Sequence, residues 1–270
     1  MTLPSFCLLV IFSVDAGKGA APDSAPPAAA APASAAAPHP GAALVLSRLD
    51  ALYADRDNRR SFDEQRRILE EKAQLPTADF ETLWRAARSY FWLSDDPSRS
   101  AAERSQDGKL GWDYAERAIS LAPQRPEGHY WAAVSIGSYA LGLGVLKALS
   151  MGLEGKFKER LGRAEQLAPS YNFGGVGVAW GRFYEKLPWP KRDRAKAEQN
   201  LRKVLTSNPN SLRARVYLAD TLSQDGRAPE AIRLLDEVAA APLGKYDAAE
   251  EHRAKALGDG LRPAVTKRLK

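Results

Sequence analysis

Cysteine and histidine are scarce in this chain of 270 residues, and their scarcity excludes several kinds of site. The single cysteine, Cys7, permits no disulfide within the chain. The three histidines, His39, His129 and His252, stand far apart and form no familiar metal-ligand spacing. No Gly-x-Ser-x-Gly, His-Glu-x-x-His or Walker-type phosphate loop occurs. The sequence therefore predicts no cofactor, no metal site and no enzymatic activity.

The N-terminal apolar run, residues 6–14, is too short to span a bilayer and has the length of a signal-peptide core. No Lys or Arg precedes it, although small residues follow at a plausible cleavage point. Cys7 precedes the run and lacks the small neighbour of a lipidated cysteine, which argues against lipid attachment. We predict a signal-peptide-like leader at residues 1–18 and an exported protein of the periplasm or cell envelope.

Alanine and proline dominate residues 19–41. A proline every few residues interrupts any alanine helix, so this segment is predicted to be an extended, partly polyproline-II linker. It either holds the following domain away from a membrane or is simply a disordered leader.

Charge gives little indication of a nucleic-acid partner. The net charge is +6 and the isoelectric point is near 9.4. The basic residues nevertheless look spread over helices and mixed with acidic ones, and no nucleic-acid motif accompanies them. We predict no nucleic-acid binding, and we interpret residues 259–270 as a basic C-terminal tail.

Four segments end in the same way, with a small or apolar helical stretch followed by a proline. Their prolines are Pro123, Pro169, Pro209 and Pro242, at spacings of 46, 40 and 33 residues. The last spacing is close to the 34-residue tetratricopeptide period. Because proline lacks an N–H and clashes with the preceding turn, each one ends a helix. The recurrence predicts a solenoid of helical hairpins with a concave face.

Small residues recur where tetratricopeptide helices must approach each other closely. In the last unit Ala219 and Ala231 occupy these positions on the first and second helix. Three similar units precede it, and an atypical hairpin is predicted before them at 43–54 and 61–74. The sequence therefore predicts an all-α tetratricopeptide-type solenoid of about five hairpins over residues 42–258.

Several runs within these units resemble known families. Residues 83–92 (LWRAARSYFW) and 180–190 (WGRFYEKLPWP) look like the T component of tripartite ATP-independent periplasmic transporters. Residues 129–133 (HYWAA) and the Leu-Pro-Trp turn at 187–189 also resemble the regulator of microtubule dynamics family. The resemblance covers roughly residues 42–243.

This resemblance implies an exported, non-enzymatic helical-repeat protein. It also implies that the protein holds a small hydrophobic ligand or docks on a periplasmic substrate-binding protein. For the oligomeric state it implies a trimer, while the residues themselves indicate no subunit interface. Membrane association is expected only through tethering.

Two inserts interrupt the repeat pattern. Residues 140–153 carry a single charge, Lys147, and have three interpretations: a helix extension packed on the next unit, an apolar flap over a cavity, or a membrane-surface contact. Residues 94–107 are polar and are predicted to be a solvent loop. Trp189, between two prolines, is predicted to fill the joint between units.

First-helix positions that face the concave side are the candidate ligand-binding residues: Arg85, Trp92, His129, Tyr139 and Arg182. Arg85 or Arg182 would hold a carboxylate through two hydrogen bonds, with Trp92 and Tyr139 as apolar walls. Each arginine would equally suit a solvated or helix-bridging role.

Two functions from different classes fit these observations. The first is a ligand-binding or accessory subunit with a closed apolar cavity, partly lined by residues 140–153. The second is an envelope scaffold that binds a peptide or protein in an open concave groove. They differ in whether the apolar insert faces an enclosed space.

Overall fold

The computed structural model describes residues 40–269. The predicted leader, Cys7 and nearly all of the predicted linker lie outside the described residues. Residues 40–269 form twelve α-helices and no strand. The helices are α1 (Pro40–Ala54), α2 (Arg59–Ala73), α3 (Phe80–Ser94), α4 (Ala101–Leu121), α5 (Pro126–Leu143), α6 (Val145–Ser150), α7 (Leu153–Leu167), α8 (Tyr171–Lys186), α9 (Arg194–Ser207), α10 (Leu212–Gln224), α11 (Ala228–Ala240) and α12 (Ala248–Lys267).

Successive helices pack as hairpins, which confirms the predicted all-α, tetratricopeptide-type solenoid. The pairs are α1 with α2, α3 with α4, α5 with α7, α8 with α9, and α10 with α11. The short helix α6 lies between the members of the third pair, and α12 follows the last pair and packs on it. It continues without a break past residue 259, where the basic tail was predicted to begin.

The start of α4 corrects one prediction. Ser100 and Glu103 form a capping box, in which each residue's side chain accepts a hydrogen bond from the other's backbone N–H. This cap begins the helix at Ala101, and Asp107 is already buried within it. The solvent loop predicted at 94–107 is therefore wrong for its second half, because a local cap outweighs the polar composition of the segment.

Glycines let α4 and α5 approach each other closely. A Cβ atom on Gly108 would lie 2.6 Å from the backbone nitrogen of Tyr139. A Cβ atom on Gly142 would lie 2.5 Å from the backbone nitrogen of Ser105. Since backbone atoms cannot move aside as a flexible side chain can, both positions need glycine at this helix spacing. This contact fixes the end of α5 from which the apolar insert departs.

The last helix returns to the first hairpins. Arg56, in the turn between α1 and α2, donates two hydrogen bonds to the carboxylate of Asp247 at 2.8 and 2.7 Å. Phe62 and Trp92 form a small buried cluster with Ala249, at the start of α12. The start of α12 thus joins the end of the solenoid to its first hairpins, and the concave side stays partly open to solvent.

In the part of the chain that the structure describes, no helix combines the length and the apolar character needed to cross a membrane.

Candidate functional site

The solenoid has a cavity of about 890 Å³ on its concave side. Its walls come from the first hairpin, from α3, from the α5–α8 segment, and from α10 and α12. This volume falls within the range of pockets that hold small molecules and cofactors. The cavity is the candidate functional site.

The apolar insert forms much of one wall. Its cavity-lining residues are Ala140, Leu141, Val145, Ala148, Leu149 and Leu153. Gly144 and Gly152 flank α6 with φ values of +86° and +72°, a backbone conformation that side chains rarely adopt. These two glycines turn the chain at each end of α6, so the insert forms a separate short helix over the cavity. The first residues of the insert, 140–143, also extend α5, which continues to Leu143.

Aromatic side chains with paired polar atoms form a second part of the wall. The Trp131 Nε1–H donates to the Tyr171 hydroxyl at 3.2 Å, and the Asn172 side-chain amide donates to the Tyr130 hydroxyl at 3.1 Å. Burial raises the pKa of both tyrosines, so their hydroxyls stay protonated at neutral pH. The rings therefore present an uncharged surface whose polar atoms are already satisfied.

The chain enters α8 through a rare backbone conformation beside these rings. Asn172, Phe173 and Gly174 are consecutive, and their φ values are +52°, +54° and +81°. Non-glycine residues in this left-handed region are strained and recur at functional sites. Asn172 and Phe173 both line the cavity, so this turn shapes its wall.

Two arginines of the wall are neutralised by carboxylates. Arg56 pairs with Asp247 and lies between aromatic rings, 4.3 Å from the ring centre of Tyr53 and 4.2 Å from that of Trp92. Arg213 reaches Asp95 at 2.7 Å and also pairs with Glu250 on α12. These arginines join distant parts of the solenoid, and their charge is already compensated.

Other cations of the wall are compensated only in part. Arg182 and Lys186 share one oxygen of Asp220, at 2.7 and 3.3 Å. Burial would raise the pKa of Asp220, but the two cations outweigh it and lower that pKa. Two positive charges thus face one negative charge.

A further cation, Arg104, donates to the backbone oxygen of Asp96 at 3.2 Å. Within residues 40–269 it has no carboxylate partner at salt-bridge distance. The cavity therefore has an apolar wall, and its incompletely paired cations are Arg104, Arg182 and Lys186.

Two of the five predicted ligand-binding residues, Trp92 and Arg182, line the cavity. Trp92 is buried and packs on Arg56, while Arg182 is half-buried.

The other three lie outside the cavity wall. The Arg85 guanidinium pairs with Asp50 at 2.7 Å and with Glu81 at 2.6 Å, which is the helix-bridging role left open above. His129 Nε2 lies 2.9 Å from the backbone oxygen of Pro123, and burial lowers the pKa of this histidine. Tyr139 packs against Trp112.

The prediction for Trp189 is wrong. Its side chain is 87% exposed, and the neighbouring Leu187 is the buried residue of this turn. The indole therefore lies in solvent and does not fill the joint between units.

Sequence reasoning missed two cations and the contact of α12 with the first hairpins. Lys186 follows Arg182 by four residues on one helix, and this spacing places both on the same face. Arg104 was missed because its segment was interpreted as a loop. The contact of α12 leaves no local signal, since it depends on pairs such as Arg56 with Asp247, 191 residues apart. No cluster of side chains that could hold a metal ion occurs between residues 40 and 269.

Family models match two parts of the chain. The model described as "Regulator of microtubule dynamics protein 1-3" matches residues 45–174, and a tetratricopeptide repeat model matches residues 191–257. The first match spans the helices from α1 to the start of α8, including the apolar insert. The second match spans α9, α10, α11 and part of α12. No curated protein matches the sequence.

Among solved structures, the chain is similar to the crystal structure of a thermophilic tetratricopeptide-repeat protein from Thermus thermophilus. The TM-score is 0.58 at 17% sequence identity, and the match covers 84% of this chain and 98% of that one. At this identity the likeness shows the fold alone. The chain is thus a tetratricopeptide-like helical repeat protein, an architecture that generally mediates binding. The resemblance to a transporter T component stays a prediction.

Proposed function

We propose that this chain is a non-enzymatic binding protein that holds a small hydrophobic ligand with an anionic group in the cavity on its concave side. The observation that carries the proposal is that the apolar insert lines a cavity of about 890 Å³, to whose wall α12 also contributes. The ligand-binding hypothesis predicts that the insert faces an enclosed space, and the scaffold hypothesis predicts that it only packs and leaves the groove open. The insert lines a cavity, which supports the first hypothesis, and this cavity is partly open.

The residues that line the cavity suit both the hydrophobic body and the anionic group of the proposed ligand. Leu149, Leu153 and Phe157 offer apolar contacts to a hydrocarbon or aromatic body. Arg182 and Lys186 share one carboxylate and retain an excess positive charge for an anionic group. Guanidinium groups bind carboxylates and phosphates through paired hydrogen bonds.

The first experiment is native mass spectrometry of the full chain as purified, before and after denaturing extraction. A co-purifying hydrophobic acid would support the proposal directly. Purified, emptied protein would then be titrated with dodecanoate and with dodecanol, which have the same tail and different head groups. We expect dodecanoate to bind more tightly and to raise the melting temperature.

Matched variants locate the binding. Gly137 lines the cavity, and a Cβ atom there would contact the Phe157 ring at 3.5 Å without a clash. Gly137→Leu should fill the space and abolish dodecanoate binding, whereas Gly162→Leu, on open helix surface, should leave it unchanged. Arg182→Gln should weaken dodecanoate binding by about tenfold and dodecanol binding by much less, because only the carboxylate uses the charge. Equal binding by all variants would contradict the proposal.

A second candidate is a scaffold that binds a peptide or protein. The tetratricopeptide match at residues 191–257 favours it, because such repeats commonly mediate protein interactions. Protein that is empty on extraction and binds neither dodecanoate nor dodecanol would favour this alternative. Pull-down of envelope partners with the full chain would then test it.

We further propose that the protein is exported and that it acts as an accessory component beside a periplasmic substrate-binding protein. This part rests on the leader-like residues 1–18 and on the resemblance of residues 83–92 and 180–190 to transporter T components. Cell fractionation with an antibody against the repeat domain tests export. Retention in the cytoplasm would contradict it and would leave the cavity proposal intact.

A further inference from the structure

Two short segments of the chain are strongly basic. Residues 145–158 and 186–196 together carry eight Lys or Arg and two acidic residues, so their net charge equals the +6 of the whole chain. The remaining residues are neutral in sum.

These two segments lie side by side. Lys191, in the turn after α8, donates to the carboxylate of Glu154 in the first turn of α7. Lys158 on α7 lies 5.7 Å from the ring centre of Phe183 on α8. Leu149 of the first segment and Leu187 of the second both line the cavity. Together they form one surface at the edge of the cavity, which we call the basic rim (residues 145–158 and 186–196).

The basic rim also exposes large apolar side chains. Trp189 is 87% exposed, Leu146 is 76% exposed and Met151 is 45% exposed. Leu121, at 56% exposed, is an apolar residue of comparable exposure outside the basic rim. Contiguous exposed apolar residues surrounded by polar ones mark interaction surfaces.

We propose that the basic rim docks the protein on an anionic lipid bilayer. Tryptophan is enriched at the level of lipid head groups, since its ring is amphipathic. Lysine and arginine near a bilayer surface are attracted by anionic lipids, and exposed leucine and methionine insert among the acyl chains. The charge complementarity and the apolar residues together select an anionic bilayer over a neutral one.

Helix α6 has one face on the basic rim and another face on the cavity. Leu146 and Lys147 are exposed on the basic rim, whereas Val145, Ala148 and Leu149 line the cavity. Docking would therefore place α6 between the bilayer and the cavity. The inference concerns the outer surface and does not rest on the proposed ligand.

The test measures partition of the full chain onto lipid vesicles. One set contains phosphatidylcholine alone, and the other contains about one quarter phosphatidylglycerol. We expect partition onto the anionic vesicles only, with a marked decrease at high salt because screening weakens the attraction. Tryptophan fluorescence should shift to shorter wavelength on binding.

Exposed positions give variants that should fold normally. Trp189→Ala and Lys147→Glu should each reduce partition by about tenfold, the first through lost apolar contact and the second through reversed charge. Leu121→Ser, at an exposed leucine outside the basic rim, should bind within about twofold of the natural chain.

Equal partition onto neutral and anionic vesicles would overturn the proposal. So would unchanged binding by Trp189→Ala and Lys147→Glu, since another part of the chain would then carry the attachment. Absence of vesicle binding would also overturn it, even if the same surface were found to bind an acidic protein. Loss of vesicle binding in these two variants with retained dodecanoate binding would support it and would separate this surface from the cavity.

Discussion

The hairpin of α10 and α11 and the hairpin of α5 and α7 are built on the same helix packing but differ in what joins their helices. Asp225, Gly226 and Arg227 connect the first pair directly. The second pair is connected through α6, with a positive-φ glycine on each side. In the first hairpin the leucines serve the core, whereas in the second the added apolar residues line a cavity or face solvent.

This difference teaches that the repeat supplies stability and that the insertion adds much of the apolar wall of the cavity. A tetratricopeptide hairpin buries its apolar residues against its neighbours, which leaves little apolar surface for a ligand. The additional residues of α6 are free of that requirement. Their effects on stability and on binding should therefore be separable.

The largest expected effect separates a core leucine from an insert leucine. Leu235 on α11 is fully buried, and Leu235→Ala should lower the free energy of unfolding by about 2–5 kcal/mol. Leu146 on α6 is exposed, and Leu146→Ala should change it by less than about 0.5 kcal/mol. Urea unfolding of both variants measures the difference. Comparable losses of unfolding free energy in the two variants would show that α6 belongs to the core.

An intermediate effect tests how rigidly the insert is anchored. A Cβ atom at Gly142 would lie 2.5 Å from Ser105 N and 2.7 Å from Ala101 O. Because both are backbone atoms, Gly142→Ala should destabilise the fold by about 1–3 kcal/mol.

The control for this test is Gly162→Ala in α7, where nothing lies within 4 Å of the added atom. It should be neutral or should stabilise the helix by up to about 1 kcal/mol, since alanine favours helix over glycine. Thermal unfolding of the two variants gives the comparison. A harmless Gly142→Ala would mean that the end of α5 moves freely.

The smallest expected effect lies between the two hairpins, at Glu185 on α8. This side chain is buried, its carboxylate is 3.6 Å from Arg194, and burial raises its pKa. Because the folded state favours the protonated carboxyl, Glu185 contributes stability at pH values below its unfolded-state pKa of 4.5. This contribution is lost as the pH rises through the folded-state pKa.

Glu185→Gln should therefore stabilise the protein at neutral to alkaline pH and should have little effect near pH 4. Urea unfolding across this pH range measures the difference. Destabilisation at alkaline pH would show that the ion pair with Arg194 outweighs burial.

Much of the fold was predictable because its signals are local. Helix-ending prolines such as Pro209 and small residues such as Ala219 recur with the repeat, and helix packing requires them wherever they stand. The capping box of Ser100 and Glu103 was also present in the sequence, yet the polar composition around it favoured a loop. The start of α4 could have been predicted from the three-residue spacing between Ser100 and Glu103.

The candidate site was less predictable. Trp92 and Arg182 were identified from the concave-face pattern and line the cavity, whereas Arg85 satisfies two carboxylates of its own neighbourhood. The same residue type at the same repeat position thus has different partners, because those partners come from other helices. Lys186 could have been found from its helical spacing to Arg182.

The sequence by itself determined the repeat architecture, the positions of most helices and the apolar insert, since each depends on residues close together in the chain. The tertiary structure alone decided that the end of the solenoid meets its first hairpins across the concave face. This meeting depends on pairs such as Arg56 with Asp247 and Arg213 with Asp95, at separations of 191 and 118 residues. Such contacts arise from the accumulated curvature of all the preceding hairpins, and no local pattern records that curvature.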